Sequence, residues 1–469
     1  MKSLHRFFCL LFFLLALSAC GGKTRDTHSP YTGPPCMDVL VYPQNLHAYA
    51  EAAGGAKLLL SFCEQVMAAE RQKEAWYRPW RLTRPARWIE ESLTANFNLS
   101  LAGAYTNTHL PFQADVWNAL VANSNKTAYG KGAGPAITLR RTNLRAMPSG
   151  RHFYRQPHLP GEGYPFDYFQ HTSTPPGTPL YICNVSKDGK WVLVDGPLTA
   201  GWVPARDVAR VDAGFIECWQ SRPLAAVVRD GTAVGKISAD IGTLLPLAMD
   251  AAPGLNQALH VYYPVRGTGG LFSAWMWRAR PPGMEKGASR LANMVRVTLA
   301  PGAATAVPLP LTAHAVAKVG TPMLGQAYGW GGLDGRRDCS ALTRDLFTPF
   351  GIHLPRHSAN QANAGRVIEL DSLSNAEKEA LIIDQAVPFR SLIWLRGHIG
   401  VYIGTYEGRA MLFHNMWGLR TKDADGGCDN RAVVGKGVIT TLQPGVERPD
   451  LCSPGSFLDR IEKVTILPW

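Results

Sequence analysis

The spacing of apolar residues divides the chain into stretches of different period. From about residue 36 to 130 the spacing is helical, and "AKLLLSFCEQVMAAERQKEAW" sets Leu59, Cys63, Val66 and Met67 at helix intervals. Between about 131 and 213 the period shortens to that of strands in "ITLRRTNLRAMPS", "TPLYICNVS", "KWVLVDG" and "AGWVPARDVA", with Asp188-Gly189 as a hairpin signal. A second set, "LAAVVRDGTAVGK", "IGTLLPLA", "ALHVYYPVRGTGG" and "FSAWMWRA", continues to about 300. Many short strands at this spacing predict two small barrels, over 131–213 and 214–300. A proline-rich stretch, "APGAATAVPLPLT", leads into the last third, 301–469. There "DCSALTRDLFTPFGI" predicts a helix with Leu342, Leu346, Phe347 and Phe350 on one side and Gly351 as its stop. The pattern is that of a multidomain α+β protein.

The first twenty residues depart from this. "MKSLHRFFCLLFFLLALSAC" has a basic start and an apolar run of export-signal length, too short to span a bilayer comfortably. Its end, Leu17-Ser18-Ala19-Cys20, matches the bacterial lipobox, which implies removal of residues 1–19 and acylation of Cys20. Residues 20–35, rich in Gly, Pro, Ser and Thr, read as a flexible tether. The expectation is a protein lipid-anchored in the bacterial cell envelope, facing the periplasm from the outer membrane if the source is Gram-negative. A net charge of +12 would suit nucleic acid, but export removes that partner and the basic residues are scattered. An anionic envelope polymer is the alternative, beside a purely solubilising surface.

Export also interprets the nine cysteines. Without Cys9 and Cys20, seven remain in an oxidising compartment, so one should stay unpaired. Nearest neighbours in sequence would pair Cys36 with Cys63, Cys183 with Cys218, and Cys428 with Cys452, although spacing does not fix connectivity. Cys339 is the odd one out by its setting, between Asp338 and Ser340 at a predicted helix N-terminus. There the helix dipole would lower the thiol pKa, and the polar neighbours argue against burial.

A thiolate nucleophile needs a base held by a third group. In "GHIGVYIGTYEGRAMLFHNMWG", folding two strands symmetrically about Tyr406 pairs Ile399 with Phe413, Val401 with Met411, and His398 with His414. The odd face is then wholly apolar, and a slip of one residue would separate the histidines. His353 and His357, near the helix's end, read as loop or surface residues, with substrate contact by His357 as the lesser alternative. No metal, nucleotide or serine-hydrolase motif occurs, and no cofactor is expected.

These residues resemble a family. "YGWGG", "RDCSAL", "LPRHSANQ", "GHIGVYIG" and "FHNMWG" are similar to motifs of the NlpC/P60 cysteine peptidases, papain-like enzymes that cut peptidoglycan stem peptides. The helical segment and the strand-rich pair resemble the subgroup with an N-terminal stabilising domain and two bacterial SH3-like domains. The resemblance implies a nucleophile in Cys339, a base in His398 and an orienting residue in His414. It implies a substrate groove around Tyr328, Trp330, Asp338 and Ser340, with Arg356 and Ser358 as further members. The implied reaction is hydrolysis of the γ-D-glutamyl to diamino-acid bond of stem peptides or muropeptides through an acyl-enzyme, by a monomer. In that subgroup the first SH3-like domain closes the groove around a free L-Ala amine, and Asp338 is the acidic match here. The rival readings are an inactive wall-binding lipoprotein, and an amidase or acyltransferase using the same thiol.

Overall fold

The computed structural model describes residues 36–156, 159, 161–248, 258–267, 291–423 and 425–468. The export signal, Cys20, the tether and the expected strand "FSAWMWRA" lie outside these residues. The last third is a six-stranded antiparallel sheet in the order 366–369, 461–466, 391–395, 398–406, 409–421, 430–441. The helix Cys339–Phe347 packs on one face of it, continues as a 3₁₀ turn over Thr348–Phe350 and stops at Gly351, whose φ is 77°. Leu342, Leu346, Phe347 and Phe350 are all fully buried, as the periodicity requires. They share one core with the odd-numbered hairpin residues Ile399, Val401, Ile403, Met411 and Phe413.

The first strand-rich region closes into a seven-stranded antiparallel sheet, 170–174, 142–145, 200–204, 191–195, 179–185, 134–138, 208–210. Between 214 and 300 the described strands form smaller sheets: 244–246 with 224–227 and 304–306, 232–234 with 237–239, and 260–266 with 292–298. The strand 304–306 extends this region past the expected boundary.

The N-terminal segment is helical, as expected, and its described side chains pack into cores shared with its neighbours, among them a cluster of Ala104, Phe112 and Trp117 with Phe153 and Phe169. Leu46, Tyr49 and Ala50 belong to the core of the last third. Trp76, Tyr77 and Trp80 belong to the second strand-rich region, and Ile89 and Leu93 to the first. The helix Phe62–Trp76 also buries a different face from the one its apolar spacing suggested. Phe62, Cys63, Val66 and Met67 are exposed or half-exposed, while Gln65, Ala68, Gln72 and Trp76 point inward. The glutamines explain the inversion, because Gln65 and Gln72 donate to the carbonyls of Phe350 and Thr348 just past the end of the helix Cys339–Phe347. Those orphan carbonyls need partners, and side-chain amides supply them.

Of the three nearest-neighbour disulfides, Cys428–Cys452 is formed. Cys36, Cys63, Cys183 and Cys218 are free thiols. Cys36 and Cys183 are packed in apolar cores while Cys63 is exposed, so nearness in sequence did not become nearness in space.

The seven-stranded sheet docks on the last third at "GWGG". Gln170 donates to the Gly331 carbonyl at 2.9 Å. Gly331 and Gly332 have φ of 61° and 79°, and a Cβ on Gly332 would lie 2.6 Å from Ser173 Cβ and 2.9 Å from its backbone N. A side chain there would therefore be strained twice, by the backbone and by the neighbouring strand. Gly332→Ala should lower stability by roughly 2–4 kcal/mol. Gly302→Ala, at φ 72° with open space around it, should cost only about 1–2 kcal/mol. Denaturant melts of the two variants measure the difference, and equal losses would show that the docking contact contributes nothing.

Candidate active site

Asp338 is the N-cap of the helix that begins at Cys339. Its Oδ1 accepts from Ala341 N at 2.8 Å and from Ser340 Oγ at 3.1 Å. Its Oδ2 accepts from Gly331 N at 3.0 Å and from the Arg356 guanidinium at 2.5 Å. Arg356 donates further to Ser340 Oγ at 2.6 Å and to Thr172 Oγ1, on the seven-stranded sheet, at 2.7 Å. All four acceptor positions of the carboxylate are thus engaged. Asp338 is not available to capture an ammonium in this conformation and acts instead as a positioning residue.

This pairing also explains why the expectation of an exposed thiol was wrong. The polar neighbours of Cys339 are buried with their partner Arg356, and Cys339 itself is only 7% exposed. Burial, reinforced by the Asp338 charge, pushes the thiol up to about 12, overriding the helix dipole. The preceding residue is held from the other side. Arg337 pairs with Asp230 of the second strand-rich region at 2.7 Å and with Asp345 at 2.8 Å.

The histidines come together, but not as direct cross-strand partners. The hairpin turns at Glu407-Gly408, with positive φ at both, so Tyr406 faces Arg409. Between Tyr402 and Gly404 the register shifts by one, making Ile403 the extra residue of a bulge, and beyond it Val401 faces Phe413 instead of Met411. Continuing the turn's own register without the bulge would put His414 on the face of Val401, away from His398. The bulge restores the shared face. Gly400 then leaves room for the diagonal contact, since a Cβ there would lie 2.8 Å from His414 Cβ.

The hydrogen bonds set the tautomers. Thr440 Oγ1 donates to the Thr441 carbonyl at 2.7 Å, so it accepts from His414 Nε2–H at 3.1 Å. His414 Nδ1 is consequently an acceptor and receives His398 Nε2–H at 2.7 Å. His398 Nδ1 is left as the basic nitrogen, and the backbone of the next residue, Ile399, lies close enough to the Cys339 sulfur to oppose the upward push on its thiol. Burial, with the Arg460 charge nearby, holds His398 down to about 3. His414 is also held well below the usual range by burial and by His398. Burial thus favours the uncharged forms of both groups, neutral thiol and neutral imidazole.

Around this centre Tyr328 is buried, Trp330 is 38% exposed, and both rings pack on Phe166 of the seven-stranded region, with Trp417 closing the group. Ser358 is half-buried at the start of the short helix Ser358–Gln361, at the edge of the network. His357 is exposed, with Arg356 and Asp338 as charged neighbours. His353, half-buried, is pushed down to about 4 by burial and Arg344. Sequence reasoning missed Thr440, Gly400, Arg337, Thr172 and Phe457, whose ring lies 5.1 Å from that of His398. Nothing local marks them, because each acts on a residue distant in the chain.

The neutral resting pair is testable by thiolate absorbance near 240 nm, as the difference between wild type and Cys339→Ala. A raised thiol pKa means that the thiolate appears only in alkali, so no step is expected between pH 4 and 9; a step there would establish a thiolate–imidazolium pair. Iodoacetamide should reach the exposed Cys63 before Cys339. Thr440→Val should lower kcat about tenfold or more with little change in KM, by freeing His414 to take the wrong tautomer. Thr440→Ser should restore it, and full activity in the Val variant would show the relay to be idle.

Comparison with known proteins agrees with this geometry. Residues 325–434 match the NlpC/P60 family, residues 152–204 the SH3 domain of SH3b1 type, and residues 7–129 the N-terminal NLPC_P60 stabilising domain. A γ-D-glutamyl-L-lysine dipeptidyl-peptidase of Bacillus subtilis (strain 168) is 30% identical over 94 residues, which are 20% of this chain and 30% of that protein. The chain thus spans about a third of that relative's length. The solved structure of an NlpC/P60 endopeptidase from Photobacterium damselae subsp. piscicida superposes with a TM-score of 0.76 at 24% identity, covering 93% of this chain and 98% of that one. An NlpC/P60 family protein of Bacillus cereus ATCC 10987 gives a TM-score of 0.41 at 16% identity, over 71% of this chain and 99% of that one. The chain thus carries an NlpC/P60 family domain over residues 325–434, preceded by that family's N-terminal stabilising domain and an SH3 domain of SH3b1 type.

Proposed function

We propose that this protein hydrolyses the γ-D-glutamyl to diamino-acid bond of peptidoglycan stem peptides through a thioester on Cys339. The observation that carries the reading is the ordered chain from Thr440 through His414 to His398, whose strand packs against the helix that begins at the Cys339 thiol. The named activity of the Bacillus subtilis relative supports the choice of bond. As the thiol attacks the γ-carbonyl carbon, its proton passes to His398 Nδ1. The imidazolium so formed is stabilised because its Nε2–H to His414 becomes charge-assisted. The Cys339 backbone N–H, at the positive end of the helix, is placed to receive the developing oxyanion. His398 returns the proton to the leaving amine, and water then hydrolyses the thioester.

A neutral pair suits this order of events. The proton leaves sulfur as the carbon–sulfur bond forms, so no isolated thiolate has to exist in a buried site. The SH3 strand Gln170–Thr174, packed on Trp330–Gly335, walls one end of the site. This supports exopeptidase-like use of short peptides with a free N-terminal L-Ala. Lipid attachment at Cys20 and a second SH3-like unit at 214–300 belong to the same proposal, an envelope enzyme that trims peptides near a membrane.

The test is product analysis on L-Ala-γ-D-Glu-diaminopimelate. The expected products are L-Ala-γ-D-Glu and free diaminopimelate, with no turnover by Cys339→Ala at unchanged circular dichroism. N-acetylation of the substrate should reduce kcat/KM by up to ~10⁴-fold if the walled end rejects it. Release of L-Ala, or cleavage by Cys339→Ala, would overturn the assignment.

A further inference from the structure

The short helix Asp38–Val41 packs on the strand 430–441, and Asp38 is its anchor. The buried carboxylate accepts from the backbone N and from the hydroxyl of Thr441, at 2.7 Å each. Val39 packs inward beside it, against the core of the last third. With these two on the inner edge, helix geometry sends Met37, Leu40 and Val41 outward together, within an arc of about 100°. All three are exposed, Leu40 at 64% and Val41 at 63%.

Val446 joins them from the loop that follows the strand. Met37 N donates to the Glu447 carboxylate at 2.8 Å, which places the adjoining Val446, 59% exposed, beside the helix. Tyr42, the next residue after the helix, meets the Tyr406 ring edge-on at 6.0 Å. Two segments far apart in the chain thus present one apolar surface edged by tyrosine rings, and no described residue covers it.

Its place in the chain indicates what it meets. The lipobox puts the acyl group on Cys20, and residues 21–35 separate that cysteine from the described chain, which starts at Cys36 beside Met37. A connection of that length spans at most about 55 Å. Tethering at such short range gives even a weak apolar contact with the bilayer a high effective concentration. Charge narrows the kind of surface. Glu447 next to Val446 and Glu407 next to Tyr406 are both exposed, so headgroups without net negative charge suit the rim.

We infer that Met37, Leu40, Val41 and Val446 form a docking surface for a zwitterionic lipid bilayer, with Tyr42 and Tyr406 at the level of the headgroups. The consequence is orientation. The strand 398–406 ends in Tyr406 at the hairpin turn and begins with His398. At strand spacing His398 therefore lies about 25 Å from the Tyr406 edge of the patch. Docking stands the hairpin on its turn and directs the His398 end away from the lipid.

This inference rests on the acylation of Cys20, so anchor and patch are read separately. In the full chain carrying Cys63→Ser and Cys218→Ser, a cysteine is introduced as Leu40→Cys or, at another exposed leucine, as Leu110→Cys, and labelled with an environment-sensitive NBD fluorophore. The protein is reconstituted in phosphatidylcholine vesicles containing nitroxide lipid, and mass spectrometry of the Cys20 peptide reports acylation. The label at 40 should be quenched roughly threefold or more above the label at 110, and adding Met37→Ser with Val446→Ser should bring that ratio toward unity. Equal quenching at the two positions, or an unchanged ratio in the double variant, overturns the patch. A signal that requires anionic lipid also overturns it, by assigning adsorption to the net charge of +12. So does a lipid-independent blue shift that grows with protein concentration, which would assign the surface to a second copy of the chain. If Cys20 is unmodified, the same ratio is measured with the chain added to vesicles at millimolar lipid. Preferential quenching at 40 then upholds the patch and rejects the anchor, and equal quenching rejects both.

Discussion

Arg356 and Asp338 are both buried, and neither charge could be there without the other. Their ion pair caps the nucleophile helix, orders Ser340 and, through Thr172, binds the helix start to the SH3 domain. Removing one partner of such a pair typically costs about 3–5 kcal/mol, because the remaining charge is stranded away from water. On the other side of Cys339, Arg337 makes a parallel connection to Asp230. The start of the helix at Cys339 is thus fixed by two guanidiniums reaching into two different β units. The peptidase domain alone would lack both outer anchors.

The same burial that locks the helix changes the chemistry available to it. A dipole at a helix N-terminus favours a thiolate, but desolvation and the adjacent Asp338 charge outweigh it, and the thiol stays protonated. The site compensates by ordering its proton acceptor. Each hydrogen bond from Thr440 to His398 has one permitted direction, so the basic nitrogen is chosen before substrate arrives. Preorganisation of this kind lowers the barrier without requiring a charge in the resting enzyme.

The N-terminal segment shows how a domain can stabilise without being a folding unit itself. Its side chains are distributed among the cores of the peptidase and of both strand-rich regions. Gln65 and Gln72 contribute by satisfying carbonyls at the end of the nucleophile helix, which is why two polar residues occupy the buried face of an otherwise apolar-looking helix. Unfolding of the segment would expose all three neighbours together, a source of cooperativity between parts that otherwise meet over small areas.

The sequence by itself determined the elements whose signal is local. The helix from Cys339 to Phe350 and its glycine stop, the strand-rich middle and the shared face of His398 and His414 could all be read from period and motif. The reading of the hairpin was correct in parity and off by two residues, because a bulge at Ile403 is not written in any alternation of apolar and polar residues. Tertiary structure alone decided the rest. It buried Cys339, saturated Asp338, inverted the face of the helix Phe62–Trp76, left Cys36 and Cys183 as core thiols, and brought Thr440 and Arg460 to the histidines. In each case the deciding partner lies far away in the chain, and local sequence carries no record of the electric field, the desolvation or the orphan carbonyl that such a partner creates or relieves.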